Sequence, residues 1–271
     1  MIRVTCLASG SSGNSLLIQH DERALLIDAG MTAKALTTCL TERGVGLGSL
    51  DGVLITHEHG DHIRGADVLA RRFGAPLIAN RATLAALGRP GRGYEQLELA
   101  AGSGLDIGPF EACSFPVSHD AVDPVGYVVR VGGASIASMT DLGDLTPDLF
   151  EAAAGSDLVV VEANHDTQLL LDGPYPAYLK RRIMSHRGHL SNRQTAELIG
   201  SSMSDLPQTY WLAHLSETNN TKEHARAGVA GFLAQYGLEP VVFVTGRDMP
   251  SLVWEPSMNK NQLPLFGAEA S

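Results

Sequence analysis

Apolar positions along the chain fall into two kinds of pattern: short unbroken runs, read as buried strands, and longer runs of helical spacing. Residues 2–8, 15–19 and 24–27 are of the first kind, parted by Gly, Ser and Asn and by Asp21-Glu22. Residues 32–43 have helical spacing, and Thr32 is placed to cap their first turn. Residues 52–56 read as another buried strand, ending on a cluster of histidines. An extended piece at 76–79 sits between helical stretches at 67–73 and 81–87. Residues 95–140 are mostly β in pattern, with strands near 110–115, 127–131 and 135–139. Beyond them, strands at 158–162, 210–213 and 241–244 alternate with helices at 146–154, 178–185, 191–202 and 221–236. Each half thus places strands ahead of helices, the order expected of sheets with helices on their outer faces. Leu26-Ile27-Asp28-Ala29-Gly30 also echoes Met139-Thr140-Asp141-Leu142-Gly143, a faint sign of a duplicated half. Periodicity ceases at Pro256, which predicts one folded unit over 1–255 and a flexible tail over 256–271.

Composition narrows the class. With 44% hydrophobic and 18% charged residues in 271, the chain is globular rather than disordered. No apolar run approaches the roughly 20 residues of a membrane helix, and the N-terminus turns polar too early for a signal peptide. Cys6, Cys39 and Cys113 are too widely spaced for a disulfide framework or a thiolate zinc site, so a reducing cytoplasm is expected. A net charge of −10 argues against a protein that coats nucleic acid. It leaves a nuclease open, because a metal site brings its own positive charge.

The densest chemistry lies in Thr56-His57-Glu58-His59-Gly60-Asp61-His62. Imidazoles and carboxylates this close together at a strand end can converge on one point. Nitrogen and oxygen ligands suit zinc, manganese or iron rather than a thiolate-seeking metal. One loop does not complete two coordination spheres, but His119, Asp141 and His214 each close a strand-like run and would supply the rest. Seven ligands serve two ions if one bridges, and Asp141, with two oxygens, is the natural bridge.

With these residues in view, the chain resembles the metallo-β-lactamase-fold metallohydrolases. Through ASGSSGNS (8–15), IDAG (27–30), THEHGDH (56–62), PVSHDAVDPVGY (116–127), TDLG (140–143), EANHD (162–166), GPYPAYLKRRI (173–183), GHLSN (188–192) and AHLS (213–216) it is similar to their YycJ/WalJ group. These segments span nearly the whole chain up to its tail. The resemblance implies an αββα sandwich, two mixed sheets with helices on the outer faces, and a site at one edge between the sheets. It implies His57, His59 and His119 as ligands of one divalent ion and Asp61, His62 and His214 as ligands of a second. Asp141 would bridge, the ions being zinc or manganese. Asp28 would orient the histidine loop from behind, while also closing a turn with Gly30.

Such a frame implies hydrolysis and leaves ester, thioester, lactam and phosphodiester open. Glu162 with Gly188-His189-Leu190-Ser191 is similar to elements of the RNase Z-like phosphodiesterases. That likeness implies that His189 binds the phosphate or protonates the leaving group, with Glu162 orienting it; alternatively, His189 only caps the helix begun by Ser191. Asp61 joins His189 and Glu162 in the expected catalytic set. The loop from Ser9 to Asn14, through Ser12 and Asn14, could present N–H groups and hydroxyls to a phosphate, or be a plain turn. Lys180-Arg181-Arg182 with Arg187 is either a local cationic patch or a solvated helix face. His165 and Asp166 are assigned no ligand role. The group resemblance implies a DNA exonuclease of 5′→3′ polarity in replication or repair. A thioesterase or other small-ester hydrolase is the alternative, and a non-catalytic clamp-binding or regulatory scaffold a third.

In the tail, Gln262-Leu263-Pro264-Leu265-Phe266 stands alone among polar residues, and Pro264 keeps it extended. It resembles the peptide by which bacterial replication and repair proteins dock on the DNA polymerase sliding clamp. Gln262 would then bond at a pocket rim, with Leu263, Leu265 and Phe266 filling the pocket. The alternative is packing on the protein's own body or on a sister subunit.

Overall fold

The computed structural model describes residues 1–88, 93–204 and 207–256. The tail peptide 262–266 therefore lies outside the described residues. The chain opens with β1 (Ile2–Ala8), β2 (Ser15–His20), β3 (Arg23–Ile27), α1 (Ala33–Glu42), β4 (Leu50–Leu54) and α2 (Gly60–Ile63). It continues with α3 (Ala66–Phe73), β5 (Leu77–Ala79), α4 (Arg81–Leu87), β6 (Gln96–Glu98), β7 (Gly104–Ile107), β8 (Phe110–Pro116) and β9 (Val125–Val131). Next come β10 (Ala134–Met139), α5 (Pro147–Ala154), β11 (Leu158–Glu162), α6 (Thr167–Asp172), α7 (Ala177–Ile183) and α8 (Asn192–Ser202). The last are β12 (Thr209–Ala213), α9 (Lys222–Ala234), β13 (Val241–Val244) and β14 (Leu252–Trp254).

These strands build two seven-stranded sheets, in the orders β14-β1-β2-β3-β4-β5-β6 and β13-β12-β11-β10-β9-β8-β7. In the first, β1 to β3 pair antiparallel and β3 to β6 pair parallel. In the second, β7 to β10 pair antiparallel and β10 to β13 pair parallel. Both sheets are mixed, as expected of the αββα sandwich.

Parallel strands covered on both faces must be apolar throughout. In β3, Leu25 and Ile27 face the core between the sheets, while Ala24 and Leu26 face the helices α1 and α3. The inter-sheet core sets Val4, Ile18 and Trp254 against Val129, Ile136 and Trp211. On the far side, Val159, Val161 and Leu212 pack under Leu149 of α5, Leu198 and Ile199 of α8 and Val229 of α9.

Helix starts follow the side chains that sequence singled out. The Thr32 side chain accepts from Ala35 N at the head of α1, and Ser191 forms a capping box with Gln194 at the head of α8. Among the described residues, α2, α6 and β14 were not anticipated; the first is a single turn and the last only three residues. The strand expected at 52–56 begins and ends two residues earlier. Its end is chemical: Thr56 N donates 2.9 Å to Asp28 Oδ1 instead of to a neighbouring strand.

Candidate metal centre

The strand directions bring the chemistry to one edge. β3, β4, β10, β11 and β12 are parallel members of their sheets, and β8 runs with β10 because each is antiparallel to β9. Asp28 follows β3, His57 follows β4, His119 follows β8 and Asp141 follows β10. Glu162 ends β11, and His214 follows β12. Asp28, Asp141 and His214 have left-handed backbone, with φ of 60°, 60° and 52°. That conformation is costly for residues other than glycine and gathers at functional sites. It is held from outside: Asp28 N donates to Leu54 O at 2.8 Å, and His214 N to Ser9 Oγ at 2.8 Å.

Ligand atoms of His57, His59 and His119 lie within 4.8 Å of one another, as do those of Asp61, His62 and His214. His57, His62 and Asp141 form a third such group, which joins the first two. Four of the five rings, those of His57, His62, His119 and His214, are fixed from behind through Nδ1. His62 Nδ1 is 2.7 Å from Asp28 Oδ2, and His57 Nδ1 is 3.0 Å from the Thr56 hydroxyl that itself donates to Asp28. His119 Nδ1 donates to Gly188 O at 3.1 Å, and His214 Nδ1 is 3.1 Å from Glu162 Oε2. A proton held on Nδ1 leaves the Nε2 lone pair for an ion. Among the described residues, His57 Nε2 and His214 Nε2 are buried and make no hydrogen bond. An unpaired buried group costs on the order of 1–3 kcal/mol, and a cation between such nitrogens removes that cost. The donor set fits divalent metal ions.

Electrostatics agree that this edge lacks positive charge. Burial alone would raise Asp141, but His214 and His62 outweigh it and hold the carboxyl well below its usual range. Burial likewise opposes charge on Glu162, yet His189 and His214 bring it down to about 2. Burial would lower His214, but Asp141, Asp61 and Glu162 raise it to about 10. His62 is raised well above its usual value because Asp28 and Asp141 overcome its burial. Without metal, protons take the place of cations, so metal binding releases them.

The loop at 9–14 is tied down largely within the protein. Ser9, Gly10, Gly13 and Asn14 all donate their N–H groups within the protein, to Arg247 O, Asn14 Oδ1, Gly10 O and Asp61 O. Ser12 Oγ donates to Asp248 Oδ1 at 2.5 Å. Asn14 is buried and turns its amide inward, 3.0 Å from His62 Nε2 and 3.3 Å from Asp61 Oδ2. The loop braces the histidine loop, with the side chains of Ser12 and Asn14 turned to Asp248 and to Asp61 and His62. The bracing leaves no room at Gly30, where a Cβ would fall 1.5 Å from Asp61 O.

His189 does not cap α8, since the Ser191 side chain does that. Its Nδ1 sits 3.0 Å from Glu162 Oε2, the same oxygen that holds His214. Glu162 Oε1 accepts from Leu142 N and Leu190 N, each at 2.8 Å. His189 borders a pocket of about 200 Å³ lined by Ser11, Asp120, Asn164, Tyr175, Arg182 and Ser216. Sequence reasoning passed over Thr56 and Asp120. Each is adjacent to a candidate ligand, which was the only available signal. Asp166 caps α6, its side chain accepting from Gln168 N and Leu169 N, and His165 is buried beside Glu162 with its pKa lowered to about 4, chiefly by burial.

Comparison with known proteins agrees with this architecture. The β-lactamase superfamily domain matches residues 23–215. Over 239 residues the chain is 36% identical to the exodeoxyribonuclease YycJ of Bacillus anthracis, covering 87% of this chain and 90% of that one. Over 242 residues it is 38% identical to the exodeoxyribonuclease WalJ of Streptococcus pneumoniae, with the same coverage. The crystal structure of the metallo-β-lactamase fold protein YhfI from Bacillus subtilis superposes with a TM-score of 0.72, over 93% of this chain and 98% of that one. At 16% identity, that likeness speaks to fold alone. The chain belongs to the metallo-β-lactamase-fold family of metal-dependent hydrolases, in the group of the YycJ and WalJ exodeoxyribonucleases.

Proposed function

We propose that the protein is a dinuclear-metal phosphodiesterase that degrades DNA from an end, with 5′→3′ polarity, in replication or repair. The observation that carries this reading is Glu162, one buried oxygen of which holds both His214 and His189. When bound, two divalent ions supply a water nucleophile at neutral pH and offset charge developing on the phosphate. His57, His59 and His119 would hold one ion, and Asp61, His62 and His214 the other, with Asp141 between them. Asp28 and Thr56 keep His62 and His57 turned inward, and the Gly188 carbonyl does the same for His119.

His189 belongs to neither of these triads, but its ring nitrogen lies within 4.8 Å of ligand atoms of Asp141, Glu162 and His214. With Nδ1 on Glu162, its Nε2 is left to hold a phosphoryl oxygen or to protonate the departing sugar oxygen. A thiol has a pKa of about 8.5 and leaves readily as thiolate, whereas an alkoxide needs a proton. A fixed imidazole beside the ion frame therefore suits a phosphodiester better than a thioester. The names of the YycJ and WalJ relatives favour DNA as the polymer.

The test is a digestion time course on duplex DNA labelled at either end, with Mn²⁺, Mg²⁺ or Zn²⁺. Metal-dependent release lost in Asp61→Ala, and slowed about 10²–10⁴-fold in His189→Ala, is expected. Early release of the 5′ label gives the polarity. No digestion by protein carrying two metal ions, with hydrolysis of a thioester instead, overturns the reading. The proposed catalytic unit spans 1–255. For the tail, sequence resemblance supports a clamp-binding role for 262–266; its deletion should abolish clamp binding of micromolar strength, about −8 kcal/mol.

A further inference from the structure

We propose that α7 and the turn after it hold an unpaired nucleic-acid strand, with Tyr178 stacking on a base and Arg181 and Arg182 on phosphates. The proposal rests on the phosphodiesterase reading and adds where the strand lies and by what chemistry it is gripped. Four observations lead to it.

First, α7 has no buried residue. Its apolar Leu179 and Ile183 are half-buried, towards the pocket beside His189, while Tyr178, Arg181 and Arg182 are exposed, so the helix contributes more to the surface at the site than to the core. Second, Lys180, Arg181, Arg182 and Arg187 crowd into this segment of a chain whose net charge is −10. Acidic surface repels a phosphate backbone, so a local cationic strip decides where one can lie. Third, the same segment exposes large apolar side chains, Tyr178 by 68% and Met184 by 43%. Every base has a π face, and an exposed tyrosine offers it a sequence-tolerant platform.

Fourth, the segment is locked to the metal centre. Arg182 Nε donates 2.7 Å to Asp120 Oδ2, and Asp120 Oδ1 lies 3.2 Å from His119 Nε2. Arg187 Nε donates 3.3 Å to the His119 carbonyl. Neither Gly143 nor Gly188 has space for a side chain: a Cβ would fall 2.3 Å from His186 O at the first and 2.1 Å from Ile183 O at the second. The turn after α7 therefore lies flush against the strand end that carries Asp141. Arg182 and Tyr175 also line the pocket beside His189, which places the terminal nucleotide there and leads the rest of the strand out over Tyr178.

The test is fluorescence anisotropy with metal-loaded protein and a short 3′-labelled single strand whose phosphorothioate linkages resist cleavage. Tyr178 and Arg181 are both exposed, so their alanine variants should fold. Tyr178→Ala is expected to weaken binding at least about fivefold. Arg181→Ala should also weaken it and lower the slope of log affinity against log salt by about 0.7. Arg130→Ala, an exposed arginine of β9 paired with Glu111, should bind as wild type. Unchanged binding by both Tyr178→Ala and Arg181→Ala overturns the proposal, as does equal loss in Arg130→Ala. Digestion of unmodified DNA by wild type is read in parallel. Digestion with normal binding by the variants removes this surface and leaves the nuclease reading standing. Binding lost in the variants without any digestion does the reverse.

Discussion

Glu162 carries four hydrogen bonds at the centre of the site: two backbone N–H groups on Oε1 and two imidazoles on Oε2. Glu162→Gln keeps the shape but not the charge that draws both Nδ1 protons. Metal affinity or activity should fall about 10–100-fold, read as metal retained after dialysis and as DNA digested. His214 makes a second prediction, for protein stripped of metal. Its folded pKa of about 10 lies above its ordinary value, so its contribution to stability is complete below about pH 6.5. That contribution fades as pH rises towards 10. Denaturant midpoints of the stripped protein should drop over this range, and those of the loaded protein should not. His57, held below its usual value mainly by burial, titrates only at lower pH and does not blur the window. The histidine loop was legible because its residues are neighbours in sequence. The hydrogen bonds behind it were not readable from spacing, since Asp28 reaches His62 across 34 positions and Glu162 reaches His214 across 52; only the family resemblance put Asp28 behind the loop.

Elements set the tolerances of the site. Gly30 must be glycine because Asp61 O occupies the space of a Cβ, whereas at Gly60 nothing lies within 4 Å. Gly30→Ala should cost at least about 2 kcal/mol in chemical denaturation, with loss of bound metal, because overpacking forces the loops apart. Gly60→Ala, at the start of α2, should be neutral or slightly stabilising. At the head of α8, Ser191→Ala removes a capping box and should cost about 1 kcal/mol. Most strands were legible from unbroken apolar runs, and helix starts from Thr32, Ser191 and Thr221, whose side chains do cap. Of the elements that escaped, α2 and β14 are ones whose order is imposed by partners. α2 is a turn inside the histidine loop, and β14 is three residues held by pairing with β1. The loop at 9–14 was open to two readings for a related reason: composition suits a turn or an anion cradle alike, and its tertiary contacts with 61–62 and 247–248 are not written in it.

At the scale of the whole molecule, the two sheets repeat one plan. Each runs from antiparallel to parallel pairing, at β3 in one and β10 in the other, and at that switch each places an aspartate in left-handed backbone. The echo between 26–30 and 139–143 was thus a local trace of a global symmetry. The two halves use it differently, since Asp28 braces ligands while Asp141 joins the candidate ligands. Sheet order also fixes how the chain closes: β14 pairs antiparallel with β1 and seats Trp254 in the inter-sheet core. A truncation designed to remove only the tail is therefore safe after residue 256 and hazardous before Leu252. Cut there, β1 loses its outer neighbour, and a bare row of backbone donors and acceptors is left to recruit the same edge of another copy. Light scattering during refolding of the two truncations should show self-association in the shorter alone. The three residues of β14 act as a selvedge, the finished border that keeps a woven sheet from being extended by its neighbours.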